Sequence, residues 1–171
     1  MISLEVSLKH LAWSNQKFLA QFIDQPDEVF GLRAAEGEWP VGQLLTHLVG
    51  SSHWYRYCLT GIDWTELEPA TNAKTVAEYG LMIAEIDQLL IENASLDDET
   101  LTVVSLDDET LTVVTGNESF TVQRSLILSQ AVMHAAEHKG QIATIMKQHG
   151  HHIDLDELDV WAFIKEKQTS D

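Results

Sequence analysis

The chain has 171 residues, of which 44% are hydrophobic and 22% are charged, so it can fold as a single domain covering residues 1–171. Its 10 Lys and Arg residues face 27 Asp and Glu residues, which gives a formal net charge of −17. This charge argues against nucleic acid and anionic membrane surfaces as partners, because both are negatively charged themselves. The single cysteine, Cys58, excludes an internal disulfide and a cysteine-rich zinc site.

Targeting and membrane-spanning signals are missing from the sequence. The N-terminus lacks the basic region and apolar stretch of a signal peptide. No uninterrupted apolar run approaches the roughly 20 residues that span a bilayer. We therefore expect a cytoplasmic protein.

The first half of the chain has the apolar spacing of two long helices. A first helix is predicted over residues 3–24, with Asn15 as a polar residue inside its apolar stripe. Residues 25–39 are predicted to be a connection. Pro40 suits the first turn of a second helix, and Gly61 is its predicted end.

A third helix is predicted after a loop at residues 60–74. Its opening signal is the capping-box pattern from Thr75 to Glu78. The predicted inner face of this helix consists of Val76, Tyr79, Ile83, Ile86 and Leu90.

The last third of the chain predicts the longest helix, over residues 122–149, followed by a stop at Gly150. A short amphipathic helix over residues 158–165 closes the chain. The inward face of the long helix is predicted to carry Ile127, Ala131, Ile142 and Ile145.

A verbatim repeat separates the third and fourth helices. Residues 95–104 and 105–114 both read SLDDETLTVV. Two copies of ten residues cannot bury a solenoid core, so the repeat indicates a tandem duplication. Gly116 and Asn117 predict a hairpin turn between strands at about 110–115 and 118–121. The first copy is then an extra strand or a tolerated surface insert.

Two histidines lie one helical turn apart on the fourth helix. His134 and His138 are separated by about 40° around the helix, which is a geometry for chelating one ion. Their face is apolar, so several ring nitrogens need partners, and a metal ion meets that need. The alternative is a pair of hydrogen-bonded structural histidines.

His47 lies at the edge of the apolar face of the second helix, beside Leu44 and Leu48. Together with His134 and His138, it makes three imidazoles from two helices. Three ligands leave coordination positions open for water or substrate, which is typical of catalytic rather than structural zinc. We therefore predict one metal site at these three histidines.

The other histidines are predicted to lie outside this site, His53 because it points about 240° away from His47. Cys58 is interpreted as a small buried core residue. Asn15 is either a core amide bonded to the backbone or a donor that orients a histidine or a bound water molecule. Gly140 either admits a close approach of backbone or ligand, or allows helix–helix contact. The histidines excluded from the site are His10, His53, His149, His151 and His152.

Three segments resemble the DinB/YfiT-like superfamily of metal-binding helical proteins, which is unrelated to the DNA polymerase that shares the name. The resemblance covers nearly the whole chain, in the expected order, and it continues through Gly150 to the Asp159 region. The fourth-helix segment is the most specific, and it departs from the family's His-x-x-x-His-Arg-Gly-Gln at Lys139. The repeat at 95–114 is a second departure. The matching segments are Trp13 to Asn15, Gly42 to Leu48 and His134 to Ile142.

The resemblance implies an antiparallel four-helix bundle with a crossover connection, for which residues 60–74 are long enough. Together with the small β-hairpin predicted above between helices three and four and the short C-terminal helix, the predicted fold class is all-α. The resemblance also implies one divalent ion on the residues matching His47, His134 and His138, and often a homodimer. Zinc is the first expectation, with nickel, iron, manganese or copper as alternatives, because imidazole ligands suit all of them.

Characterised members of the superfamily include thiol S-transferases and a thiol-dependent isomerase, so the resemblance implies a low-molecular-weight thiol acting on a small electrophile. A metal-dependent hydrolase and a non-catalytic metal- or ligand-binding stress protein are the alternatives. An acidic thiol would need a cation near the site, for which Lys139, Arg56 and Arg124 are candidates. The five Trp residues, including Trp54 and Trp64, indicate a homodimer through a helical face.

Overall fold

The computed structural model describes residues 3–64, 66–99 and 109–169, without the side chains of residues 95–99. Within these ranges the chain forms five α-helices and a two-stranded antiparallel sheet. Short 3-10 turns lie at Asp27–Gly31 and Asp156–Leu158. The elements in chain order are α1 (Leu4–Ala20), α2 (Val41–Thr60), α3 (Ala73–Glu99), β1 (Thr110–Thr115), β2 (Glu118–Gln123), α4 (Arg124–Gln148) and α5 (Val160–Thr169).

The helix ends follow the predicted signals closely, except at α1, α2 and α5, of which α5 begins two residues later and ends four residues later than predicted. Gly61 and Gly150 adopt left-handed φ values of 72° and 82° just after α2 and α4, as a helix stop requires. Pro40 is the cap before α2 rather than part of its first turn. The helix α1 ends four residues earlier than predicted, because the amides of residues 21–23 bond three residues back instead of four.

The start of α3 differs from the prediction. The amide of Thr75 donates to the side-chain oxygen of Asn72 at 3.0 Å, so Asn72 caps the helix and the Thr75 capping box was wrong. The helix has 27 residues and is longer than α4, which has 25. The five residues predicted for its inner face are all buried.

The described residues of the decapeptide repeat are the first five of the first copy and the last six of the second copy. Residues 95–99 continue α3, so the prediction of a strand or insert was wrong for them. Residues 100–108, which include the end of the first copy, lie outside the described residues. In the second copy the hairpin is confirmed: Thr110 pairs with Gln123, and Gly116 turns the chain with a φ of 59°. The second strand is two residues longer than predicted.

The four long helices share one hydrophobic core. The helix α1 packs against α3 and α4, and α2 packs against α3 and α4, while α5 lies against α1. The inward residues predicted for α4 are buried, and Val113 of the hairpin is also buried. The described part of the chain contains no helix long and apolar enough to cross a membrane. Because α4 packs against both α1 and α2, two of its faces are covered by other helices.

Candidate metal centre

The three predicted histidines meet between α2 and α4. His134 lies in the middle of the cluster, because its Nε2 is 3.1 Å from the Nε2 of His47 and 3.1 Å from that of His138. One nitrogen from each ring can be chosen so that all lie within 4.8 Å of one another. The sequence therefore identified every member of this cluster before the structure brought α2 and α4 together.

The donor set fits a divalent ion. Two nitrogens that share a tetrahedral zinc at about 2.05 Å are roughly 3.3 Å apart, close to the separations around His134. Three convergent imidazole nitrogens also lack enough hydrogens to satisfy one another in their neutral forms. Within the described ranges, this is the only group of three or more His, Cys, Asp or Glu side chains close enough to hold an ion. Such a set leaves room for a further ligand.

The electrostatics of the cluster favour the neutral rings of His47 and His134. Burial and the neighbouring rings of His138 and His47 lower the pKa of His134 to about 4. Burial, and then His138, also lower the pKa of His47. Since metals bind the neutral imidazole, these two rings are in the binding form at neutral pH.

Neighbouring side chains orient the rings. The Nδ1 of His138 lies 3.0 Å from the Oε1 of Gln141, which can only accept, so Nδ1 donates and Nε2 keeps its lone pair for an ion. The ring of Trp39 packs edge-on against His47 at 5.0 Å, and Tyr55 packs against His134 at 6.1 Å. Gln141 and Trp39 were missed from the sequence. The spacing of three residues from His138 could have indicated Gln141.

The remaining histidines lie apart from the cluster, as predicted. His10 bonds the carbonyl of Leu158 at 2.8 Å, a partner the sequence did not reveal. The Nε2 of His149 lies 3.0 Å from the carbonyl of Arg33. His53 is buried, and neither of its ring nitrogens has a hydrogen-bond partner among the described residues. Cys58 is a buried core residue, and burial raises the pKa of its thiol to about 11, which makes it a poor nucleophile at neutral pH.

The opposite face of α4 carries a second polar group, buried against α1 and α3. The amine of Lys139 donates to the hydroxyl of Ser14 at 2.7 Å, and the amide of Asn15 donates to Asp87 at 2.9 Å. Burial raises the pKa of Asp87 to about 7 and lowers that of Lys139 to about 7. The two predicted alternatives for Asn15 are both corrected, because its amide bonds a carboxyl group on α3.

Asp87 and Ser14 were missed in the sequence. Asp87 interrupts the predicted inner face of α3 between Ile86 and Leu90, and this polar residue in an apolar stripe was the available signal. Helix–helix contact does not explain Gly140, because a Cβ there would meet no atom within 4 Å among those described.

Comparisons with known proteins agree with this fold. The chain is similar to a DinB-like protein from Bacillus cereus ATCC 10987, whose crystal structure matches with a TM-score of 0.61 and 19% sequence identity. The match covers 90% of this chain and 97% of that protein, and at this identity it shows the fold alone. No curated protein matches the sequence. The sequence profile of the DinB family matches residues 1–162, so the chain belongs to the DinB family.

Proposed function

We propose that His47, His134 and His138 hold one divalent ion and that the protein is a metal-dependent enzyme. The observation that carries this proposal is the convergence of the three Nε2 atoms. Those of His47 and His138 each lie 3.1 Å from the Nε2 of His134. Zinc is the first candidate, and nickel, iron, manganese and copper are the alternatives. The helices α1 to α4 would form the antiparallel four-helix bundle, with residues 61–72 as its crossover, in a single domain of residues 1–171.

The chemistry we propose is transfer of a low-molecular-weight thiol to a small electrophile. A bound ion would lower the pKa of a thiol or of a water molecule. The thiolate sulfur would form a bond to an electrophilic carbon as the leaving group departs with the bonding electrons, and the thiol proton would pass to solvent. The choice of a thiol as the nucleophile rests on the thiol-dependent reactions of characterised members of the superfamily.

The thiol is expected to carry little negative charge. The protein has a net charge of −17, and none of the three candidate cations compensates it at the site. Lys139 is buried against Ser14 on the other face of α4. Arg56 donates to the carbonyl of Asp63, and Arg124 is paired with Glu109 and Asn93.

Catalysis by a covalent protein intermediate at Cys58 is disfavoured. Its thiol is buried with a raised pKa, and it is eleven residues along α2 from His47, or about 16 Å. The three histidines that we assign to the site therefore bind the ion directly. Burial favours the neutral rings of His47 and His134. Gln141 holds His138 in the tautomer that exposes Nε2.

Metal analysis of tagless protein, with His47→Ala beside it, tests the ligand set. We expect about one ion per chain in the parent and a large loss in a variant that remains helical. Full occupancy in His47→Ala would contradict three-histidine binding. Loading the stripped protein with individual divalent ions would then rank zinc against the alternatives.

A panel of cellular thiols with a generic electrophile, assayed with loaded and stripped protein, tests the chemistry. The rate above background should vanish on stripping and return with metal. Metal-dependent cleavage of esters or amides without thiol acceleration would favour the hydrolase alternative. Metal binding without turnover on either panel would favour the stress-protein alternative.

We also propose a homodimer in the cytoplasm, with neither nucleic acid nor membrane as a partner. Trp54 and Trp64 pack against each other with ring centroids 5.1 Å apart, and Trp64 is 42% exposed. Exposed aromatic clusters are frequent at protein interfaces. A monomeric mass in sedimentation at micromolar concentration would contradict the dimer.

A further inference from the structure

A cavity of about 200 Å³ lies on the face of α4 opposite the histidines, between α1 and the segment that precedes α5. Its apolar wall includes Leu11, Val132 and Leu158. Lys139 and Ser14 also line it and are its polar residues, together with His10. Since an apolar cavity of about 150 Å³ can hold a benzene molecule, this volume admits a small organic ligand.

The polar side of the cavity has an unused donor. Lys139 is 6% exposed, and its amine donates to Ser14 at 2.7 Å. The Ser14 hydroxyl in turn donates to the carbonyl of Leu11, so Ser14 holds the amine in place without a hydrogen to spare. Within the described ranges no carboxylate lies at ion-pair distance from Lys139. The amine therefore has more hydrogens than its single acceptor uses.

Gly140 supplies a second, independent observation. It lines the cavity from inside α4, where glycine is among the least favourable helix residues. It has no positive φ to justify glycine, and a Cβ built on it would meet no described atom within 4 Å. Close packing of helices therefore does not require this glycine, whereas a larger side chain would project toward the cavity.

We propose that this cavity is a binding site for a small apolar carboxylate, with the carboxylate on the amine of Lys139 and the apolar part against Leu11, Val132 and Leu158. A buried amine with no carboxylate at ion-pair distance can bind an acceptor of opposite charge, although Asp87 lies near enough to interact with it electrostatically, and the surrounding wall offers mainly apolar contacts to the remainder. The site is separate from the metal centre, because Lys139 points about 100° away from His138 around the helix.

Hexanoate is the probe and hexanol its uncharged control. Titration of each into 15N-labelled full-length protein should shift the amide signals of cavity residues, with hexanoate binding at least about tenfold tighter than hexanol, since the alcohol oxygen can accept from the amine but lacks the negative charge that strengthens this hydrogen bond. The affinity for hexanoate should be the same in metal-loaded and metal-stripped protein. Equal affinities for hexanoate and hexanol would overturn the role of Lys139.

Two variants locate the binding site, and a third variant serves as their matched control. Lys139→Met keeps the apolar stem and should weaken hexanoate at least about tenfold, while the affinity for hexanol should fall by a smaller factor because only a hydrogen bond to an uncharged oxygen is lost. Gly140→Leu fills the cavity without touching the Lys139 amine and should abolish both. Gly50→Leu also adds a side chain at a helical glycine with open space around it, and should bind hexanoate as the parent does.

If Gly140→Leu binds hexanoate with the same affinity as Gly50→Leu, the ligand does not bind in this cavity and the proposal is wrong. Loss of hexanoate binding on metal removal would instead place the ligand at the histidines and would also contradict the proposal. Because metal content is measured on the same samples, failure of the cavity and failure of the metal centre remain distinguishable.

Discussion

The two faces of α4 bury polar side chains in different ways. Toward α2, His134 and His138 meet His47, and three nitrogens of the same kind converge. Toward α1, the amine of Lys139 meets the hydroxyl of Ser14, and the amide of Asn15 meets the carboxyl group of Asp87. The first set lacks complementary donors and acceptors, whereas the second set is largely complementary.

This difference separates a site that needs a cation from one whose polar groups find most of their partners within the protein and leave only the spare hydrogens of Lys139 for an anion. Buried polar groups must find partners, and complementary residues supply them from within the protein. A set of neutral imidazoles with lone pairs pointing to one place needs a partner from outside, and a cation is the natural one. The histidine face should therefore govern metal binding, and the Lys139 face should govern stability.

Removing the central imidazole should have the largest effect. His134→Ala should weaken Zn²⁺ binding by more than about 100-fold, because losing even an outer partner of a ligand costs about 10- to 100-fold. Competition with a chromophoric chelator measures the affinity. His152→Ala, at an exposed histidine beyond α4, is the matched control and should bind as the parent does. Parental affinity in His134→Ala would contradict the site.

Substitutions on the Lys139 face of α4 should change the free energy of unfolding rather than metal binding. Lys139→Met should lower the free energy of unfolding by about 1–3 kcal/mol, because Asp87 loses the nearby positive charge and Ser14 loses a donor. Urea denaturation of stripped protein measures this change, and metal content should stay at the parental value.

A double-mutant cycle with Asp87→Asn sharpens that result. The double variant should be more stable than the sum of the single changes predicts, because neither buried charge is left alone. Additivity within about 0.5 kcal/mol would mean that Lys139 and Asp87 do not interact energetically.

Gln141 should have a smaller effect on the histidine face. Gln141→Ala should weaken Zn²⁺ binding by about tenfold, or about 1.4 kcal/mol, because His138 loses the acceptor that orients its ring. Gln141→Glu retains an acceptor and should largely restore binding. Gln148→Ala, at the exposed end of α4, is the matched control. If Gln141→Ala and Gln148→Ala have equal affinities, Gln141 does not support the site.

Deleting residues 95–104 should have the smallest effect on either face. Because the repeat is verbatim, the remaining copy supplies the same residues after Ala94 and before β1. Ten residues separate Glu99 from Thr110, so the shortened chain must unwind the last turn of α3 to make the connection to β1. If the loss of this end turn costs about 1 kcal/mol, the melting temperature should fall by less than about 4 °C. Calorimetry and metal analysis check both expectations. Loss of folded protein would show that the ten additional residues are needed to connect α3 to β1.

Local patterns in the sequence determined much of the fold. Apolar spacing predicted the four long helices, and glycine predicted the stops at Gly61 and Gly150, because both signals depend on neighbouring residues alone. The hairpin followed from its turn residues for the same reason. The histidine cluster was also predicted, since His134 and His138 share a helical face and His47 lies on the edge of another apolar face.

Long-range contacts decided the rest. Residues 95–99 continue the helix α3, and residues 110–114 pair with β2, so each segment takes the structure of the element beside it. Asn15 and Asp87 are 72 residues apart, and Lys139 and Ser14 are 125 apart. No periodicity specifies such partners, because they depend on how α1, α3 and α4 pack. The sequence thus determined which residues face inward, and the tertiary structure decided which of them satisfy one another and which three point their nitrogens at a common position.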